Sequence, residues 1–116
     1  MAVRKLDKRQ WRTFFERVSK GIVGKHPEIE VASLALGDQI AAEWLPLLGI
    51  SYDPKDDIIQ IALDGLDHII RAPREVYVDL GPTGLTSMEI VDAGDVRQIV
   101  QLRDPLALPA PSSASG

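Results

Sequence analysis

The sequence predicts an α+β fold: an N-terminal amphipathic helix packed on a curled, mostly antiparallel sheet of six or seven strands. Three observations carry this expectation. A stripe of large apolar side chains with helical spacing occupies residues 11–22. From residue 28 onward, apolar side chains instead recur at every second position in short runs. Glycine, proline and aspartate interrupt those runs about every ten residues, the spacing of an antiparallel meander.

The helix has the clearest local signals. Asp7 is a good N-cap, and Gln10 three residues later completes a capping-box pattern. Leu6 and Trp11 have the spacing of a hydrophobic staple. Trp11, Phe14, Phe15, Val18 and Ile22 then fall on one face, with Arg9, Arg12 and Glu16 away from it. Gly21 or Gly24 ends the helix, and Pro27 forbids its continuation. Such an aromatic stripe is read first as a core face, each ring contributing roughly 1.5–3 kcal/mol on burial.

The strands follow. In 28–36, Ile29 and Val31 share one face while Leu34 and Leu36 share the other, which predicts a bulge or bend near Ala32-Ser33. Gly37-Asp38 is a turn signal. Residues 39–45 read as a strand with Ile40, Ala42 and Trp44 in phase, and Pro46 marks its end or an edge. Residues 50–63 read as a hairpin. Asp53-Pro54-Lys55-Asp56 supplies type I turn chemistry, and Ile59, Ile61 and Leu63 share an apolar face opposite a mixed one. A lone hairpin is marginal in water, so the rest of the chain must cover that face.

Residues 66–72 fit either a helical turn or a short strand. Residues 74–80, 86–91 and 96–102 read as strands, separated by turns at Gly81-Pro82-Thr83-Gly84 and Asp92-Ala93-Gly94-Asp95. After Asp104 the chain turns proline-rich and then small and polar. We expect residues 1–108 to form a single globular α+β domain, with Leu106 and Leu108 tucked against the sheet. Residues 109–116 are expected to be a flexible Pro/Ser/Ala tail, too poor in apolar surface to offset its ordering entropy.

Composition narrows the function classes. The chain has 116 residues, the length of one domain, and no cysteine, so disulfides and thiolate chemistry are excluded. No apolar run approaches the length of a membrane span, and the N-terminus lacks the apolar core of a signal peptide. A soluble cytoplasmic protein, with no membrane partner, is the expectation. The net charge of −4 hides an asymmetry: residues 1–25 hold eight basic and two acidic side chains, and residues 26–116 hold five basic and fifteen acidic ones. Either the basic helix lies on or near an acidic sheet, or it faces an anionic partner through Arg9, Arg12, Arg17 and Lys20. The helix lacks the dense basic run of a nucleic-acid arm, so nucleic acid is the less favoured form of that partner.

Assembled chemistry is sparse. Asp53, Asp56 and Asp57 share a turn, but their spacing lacks the alternating ligands, glycine and distal glutamate of a calcium loop; turn geometry accounts for Asp53 and solvation for the other two. Asp64, Asp67 and His68 are the compact acid–histidine group, and a carboxylate beside an imidazole can support general-base catalysis; a polar surface loop is the plainer alternative. Glu28, Glu30 and Glu43 would approach one another if the first two sheet strands pair, though alternate acids on a meander usually mark its solvent face. Gly81-Pro82-Thr83-Gly84 has neither the lysine nor the helix of a phosphate loop. No catalytic residue, metal ligand or cofactor is assigned on these grounds.

The N-terminal LDKRQWRTFFERVSK, the body EIEVASLALGDQIAAEWLPLLGISYDPKDDIIQIALDGLDHIIRAPREVYVD and the terminal LRDPLALP together resemble a family of short, uncharacterised bacterial proteins, a domain-of-unknown-function family. The resemblance covers residues 6–109. The YDPKDD hairpin is also similar to one in a second uncharacterised family. What the resemblance implies is a small bacterial globular protein; it transfers no activity, cofactor or catalytic residue.

The function expected is a non-enzymatic binding or interaction module, with a homo-oligomer as one form it could take. Anionic-partner binding through the basic helix is the first alternative. A small-ligand or hydrolase site near Asp67 and His68 is the second.

Overall fold

The two periodicities of the chain sort into one helix and, among the described residues, eight strands. The computed structural model describes residues 2–34 and 38–109. In chain order the elements are β1 (Ala2–Lys5), a 3₁₀ turn (Lys8–Gln10), α1 (Trp11–Gly21), β2 (Glu28–Leu34), β3 (Asp38–Asp53), β4 (Ile58–Leu63), β5 (Leu66–Arg71), β6 (Pro73–Gly81), β7 (Gly84–Asp92) and β8 (Arg97–Leu106). All strand pairs are antiparallel. They form one open sheet in the order β1-β6-β7-β8-β2-β3-β4-β5. The expected six or seven strands are therefore eight. The extra strand is β1, a short segment with two cations that becomes a strand only by pairing with Tyr77 to Leu80 of β6.

Asp7 is an N-cap as expected, but of the 3₁₀ turn before α1, and Gln10 makes no side-chain cap bond, so the expected capping box does not form. Asp7 Oδ1 accepts from the Arg9 backbone N–H at 2.9 Å and so caps the 3₁₀ turn that leads into α1. Leu6 and Trp11 are both buried, and the Trp11 indole N–H donates to the Leu6 carbonyl at 3.4 Å. The whole predicted stripe of Trp11, Phe14, Phe15, Val18 and Ile22 is buried. It joins Ile29 and Val31 of β2, Ile59 and Ile61 of β4, Val76 and Val78 of β6, and Met88 and Ile90 of β7 in one hydrophobic cluster.

Strand β3 organises the sheet. Its first part pairs with β2 as far as Pro46, and its second part pairs with β4 from Leu47 to Asp53. Pro46 thus marks a change of partner, not the end of a strand. The missing N–H does no harm there: the Leu47 N–H goes to the Pro27 carbonyl at 2.8 Å, and the Pro46 carbonyl accepts from Asp64 at 3.0 Å. Trp44, two residues before it, has φ of +50° and sits in the register shift between the pairs Val31–Ala42 and Ile29–Leu45. One residue, Ala41, is extra between the pairs Ala32–Ile40 and Val31–Ala42, so Ile40, expected in phase with the core, is 51% exposed while Ala42 is buried. The bulge expected near Ala32-Ser33 falls on the partner strand instead: β2 pairs evenly with β8 from Ile29 to Leu34, and the extra residues opposite Ile29–Ala32 lie in β3. Leu36 and Gly37 lie outside the described residues, as does the chain from residue 110.

Beyond Pro46, β3 no longer has β2 beside it, and α1 takes that place. Ser19 Oγ donates to the Ile50 carbonyl at 2.8 Å and accepts from the Ile50 N–H at 3.1 Å. One hydroxyl satisfies both backbone groups that a neighbouring strand would otherwise pair.

The Asp53–Asp57 turn is built as its composition requires, with Asp53 Oδ1 accepting from Lys55 N–H at 2.9 Å. Asp57 is not a merely solvated charge. It accepts a 2.7 Å hydrogen bond from the Tyr52 hydroxyl and has Lys8 at 3.9 Å. Burial first, and the Asp57 hydrogen bond second, push the Tyr52 hydroxyl up to about 12. Unfolded tyrosine ionises near 10, so this contribution to stability is complete below that pH and is lost as pH rises through about 12. Tyr52→Phe should cost about 1 kcal/mol near neutral pH. The gap between variant and parent in denaturant melts should narrow as pH climbs toward 12, and a constant gap would contradict the assignment.

Candidate functional site

The basic N-terminal region folds into two adjoining depressions on either side of the Leu6-Asp7 link. One is an open groove of about 250 Å³ between β1 and α1, lined by Arg4, Leu6, Arg9, Gln10, Thr13, Phe14 and Arg17. Leu6 and Phe14 are core residues and form its apolar floor. Arg9, Thr13 and Arg17 are spaced four apart along the helical rise, which places them on one side of it. Arg4 reaches the groove from β1, held by the pairing of Arg4 with Val78. The groove lining holds three guanidiniums and no carboxylate.

The second depression is lined by Lys5, Leu6, Asp7, Lys8, Trp11 and Arg74. It contains as many cations, but each has an acidic partner. Lys5 pairs with Glu75 at 3.3 Å, Lys8 with Asp57 at 3.9 Å, and Arg74 with Asp95. Lys8 also lies 5.5 Å above the Trp11 ring. These charges tie the N-terminal segment to the sheet.

In the first groove the balance differs. Arg9 makes a bidentate pair with Asp7, whose carboxyl is held below the usual range by the Arg9 guanidinium and backbone N–H. Arg17 Nε donates to the Pro109 carbonyl at 3.1 Å, an uncharged partner. Arg4 forms no ion pair among the described residues. The two cations without a carboxylate, Arg4 and Arg17, therefore line the same apolar-floored groove.

Of the four cations singled out from the sequence, the fold brings Arg9 and Arg17 together. Arg12 points elsewhere, 3.9 Å from Glu16 one turn on. Lys20 lines a separate depression with Gly21, Val23, Lys25 and the chain at Ala107 to Pro109. Arg4, Gln10 and Thr13 were missed. Thr13 could have been found from its i+4 spacing to both Arg9 and Arg17; Arg4 could not, because its position depends on β1.

The other sequence candidates separate. Leu66–Arg71 is a strand, so Asp67 and His68 leave opposite faces of it. His68 turns inward, with Nε2 3.0 Å from Gln98 Oε1 on β8, and Asp67 is exposed. No acid–base pair forms between them. Glu28 is taken by Arg103 at 3.2 Å, whose guanidinium also lies 4.8 Å over the Trp44 ring. Among the described residues no three acidic or histidine side chains are grouped to hold a metal, and no helix is long and apolar enough to cross a membrane.

Comparison with known proteins adds a family. Residues 2–111 match the model of a family of unknown function, DUF5335. An uncharacterized protein of Aquifex aeolicus is 37% identical over 110 residues, spanning 94% of this chain and 99% of the relative. No solved structure matches.

Proposed function

We propose that this chain, which belongs to the family of unknown function DUF5335, is a non-enzymatic binding module whose partner presents an anionic group to the groove between β1 and α1. One observation carries this: Arg4 and Arg17 line an apolar-floored groove that holds no carboxylate. Guanidinium forks match carboxylate and phosphate oxygens, and the Gln10 and Thr13 side chains add neutral hydrogen-bonding groups. At about 250 Å³ the groove falls below the size of a small-molecule pocket, so it suits one anionic group of a larger partner. The module is residues 1–108 in this reading, with 109–116 as a tail outside it. A cytoplasmic setting agrees with the absence of cysteine.

The test is binding of a labelled single-stranded oligonucleotide and of a labelled acidic peptide at low salt, read by fluorescence anisotropy. Arg4→Ala with Arg17→Ala should weaken binding sharply. For the oligonucleotide, the slope of log affinity against log salt should drop by about 0.7 for each arginine removed. Arg12→Ala, whose cation lies outside the groove, should change little. Absence of binding by both probes at low salt would rule the proposal out.

A further inference from the structure

The open sheet ends on two edge strands, β1 and β5, and they differ in a way that matters. An edge strand presents unpaired backbone groups, and soluble proteins usually blunt it with like charge or a bend. Strand β1 carries Arg4 and Lys5 within four residues. Strand β5, Leu66–Arg71, carries one acid and one base, Asp67 and Arg71, at either side of Ile69.

The hydrogen-bond parity of β5 can be followed from its neighbour. Ala72 N–H donates to the Asp57 carbonyl at 2.9 Å, and the register pairs Ile58 with Arg71, Ile59 with Ile70 and so on to Leu63 with Leu66. In an antiparallel ladder, bonded and non-bonded pairs alternate. Ile70, His68 and Leu66 therefore bond to β4, and the N–H and C=O groups of Asp67, Ile69 and Arg71 point out from the sheet edge. The same alternation leaves Ile50 facing away from β4, which is where Ser19 meets it.

We infer that β5 is a dimerisation edge, and that its partner is β5 of a second copy of this chain, antiparallel about a two-fold axis at Ile69. That register sets Ile69 against Ile69 and each Asp67 against the other copy's Arg71. It brings all three outward-facing residues of one strand onto all three of the other. The two-fold produces two opposite-charge pairs at once, on the same face of the extended sheet. Shifting the register by two residues in either direction leaves one of the three unmatched and separates the charges. Exposed Asp67 and Arg71 and half-buried Ile69 leave this edge uncovered in the single chain.

Sedimentation velocity across a concentration series tests this on the full chain. The parent should be dimeric. Asp67→Arg or Arg71→Asp alone replaces two attractive pairs by two repulsive ones and should weaken the dimer about tenfold or more. The combined swap, Asp67→Arg with Arg71→Asp, should restore it. Because the chain has no cysteine, Ile69→Cys offers an independent readout that does not alter charge. Opposed residues of a bonded pair lie about 5.5 Å apart at Cα, within disulfide reach, so mild oxidation should trap a covalent dimer, and Ser51→Cys should not. A parent that stays monomeric, a dimer indifferent to the charge reversals, a swap without rescue, or no trapping at position 69 would each overturn the inference.

Discussion

Phe15→Ala should lower the unfolding free energy by about 3–5 kcal/mol. The ring is completely buried, with the Phe14 ring at 6.0 Å in an edge-on arrangement. The helix packs chiefly on β3, whose second half lacks a strand on one side. A cavity under Phe15 therefore weakens the element that covers the Ile50 edge as well as the core. Domains of this size are stable by only about 5–15 kcal/mol, so a large part of the total is at stake. At roughly 4 °C per kcal/mol the melting temperature should fall by about 12–20 °C. Arg12→Ala, on the outer face of the same helix, should change the free energy by less than about 0.5 kcal/mol. Equal losses for the two would mean that the helix does not close the core.

The helix was readable because its signals are local. A cap, a staple and five apolar residues at helical spacing all sit within seventeen positions. The strands of β6 to β8 were readable because alternation and glycine- or aspartate-rich turns are local too. What escaped depends on distant partners. Ala2–Lys5 has no strand signature strong enough to see, and β6 makes it one. Pro46 looks like a terminator in sequence, yet Pro27 and Asp64 take up the hydrogen bonds around it. The bulge at Ala41 breaks the alternation that Ile40 was expected to follow.

The candidate site shows the same division. The basic excess of residues 1–25 was plain in the sequence, but which cations share a surface was not. Arg12 and Lys20 lie on the same broad polar face as Arg9 and Arg17, and only the placement of β1 turns part of that face into a groove. Nothing local in the sequence marks Ser19; its role exists because β3 changes partner. Asp67 and His68 were adjacent in sequence and could be judged only once 66–71 was known to be a strand, where neighbours must diverge.

Gly84→Ala should destabilise the protein by roughly 2–5 kcal/mol, through crowding more than through backbone preference. Gly84 opens β7 opposite Gly81, with φ of +139°, a conformation that L side chains rarely adopt. Next to it the β7–β8 register jumps, from Leu85 opposite Leu106 to Ser87 opposite Gln101. That jump lets β8 pass Pro105 and return Leu106 to the core, and it brings the Leu106 backbone against Gly84. A Cβ at position 84 would stand 2.3 Å from the Leu106 carbonyl oxygen, a contact with backbone that no side-chain rotation relieves. Relief requires β8 to move outward, which loosens Leu106 and the completely buried Leu85 together. Gly65→Ala is the control: its φ of +84° is also unfavourable, but nothing lies within 4 Å of the added carbon. It should cost only about 1 kcal/mol, the conformational part alone. Urea unfolding of the two variants separates the contributions. If Gly84→Ala is no worse than Gly65→Ala, then β8 does not make its close pass over the start of β7, and Leu106 is held by something other than that register jump.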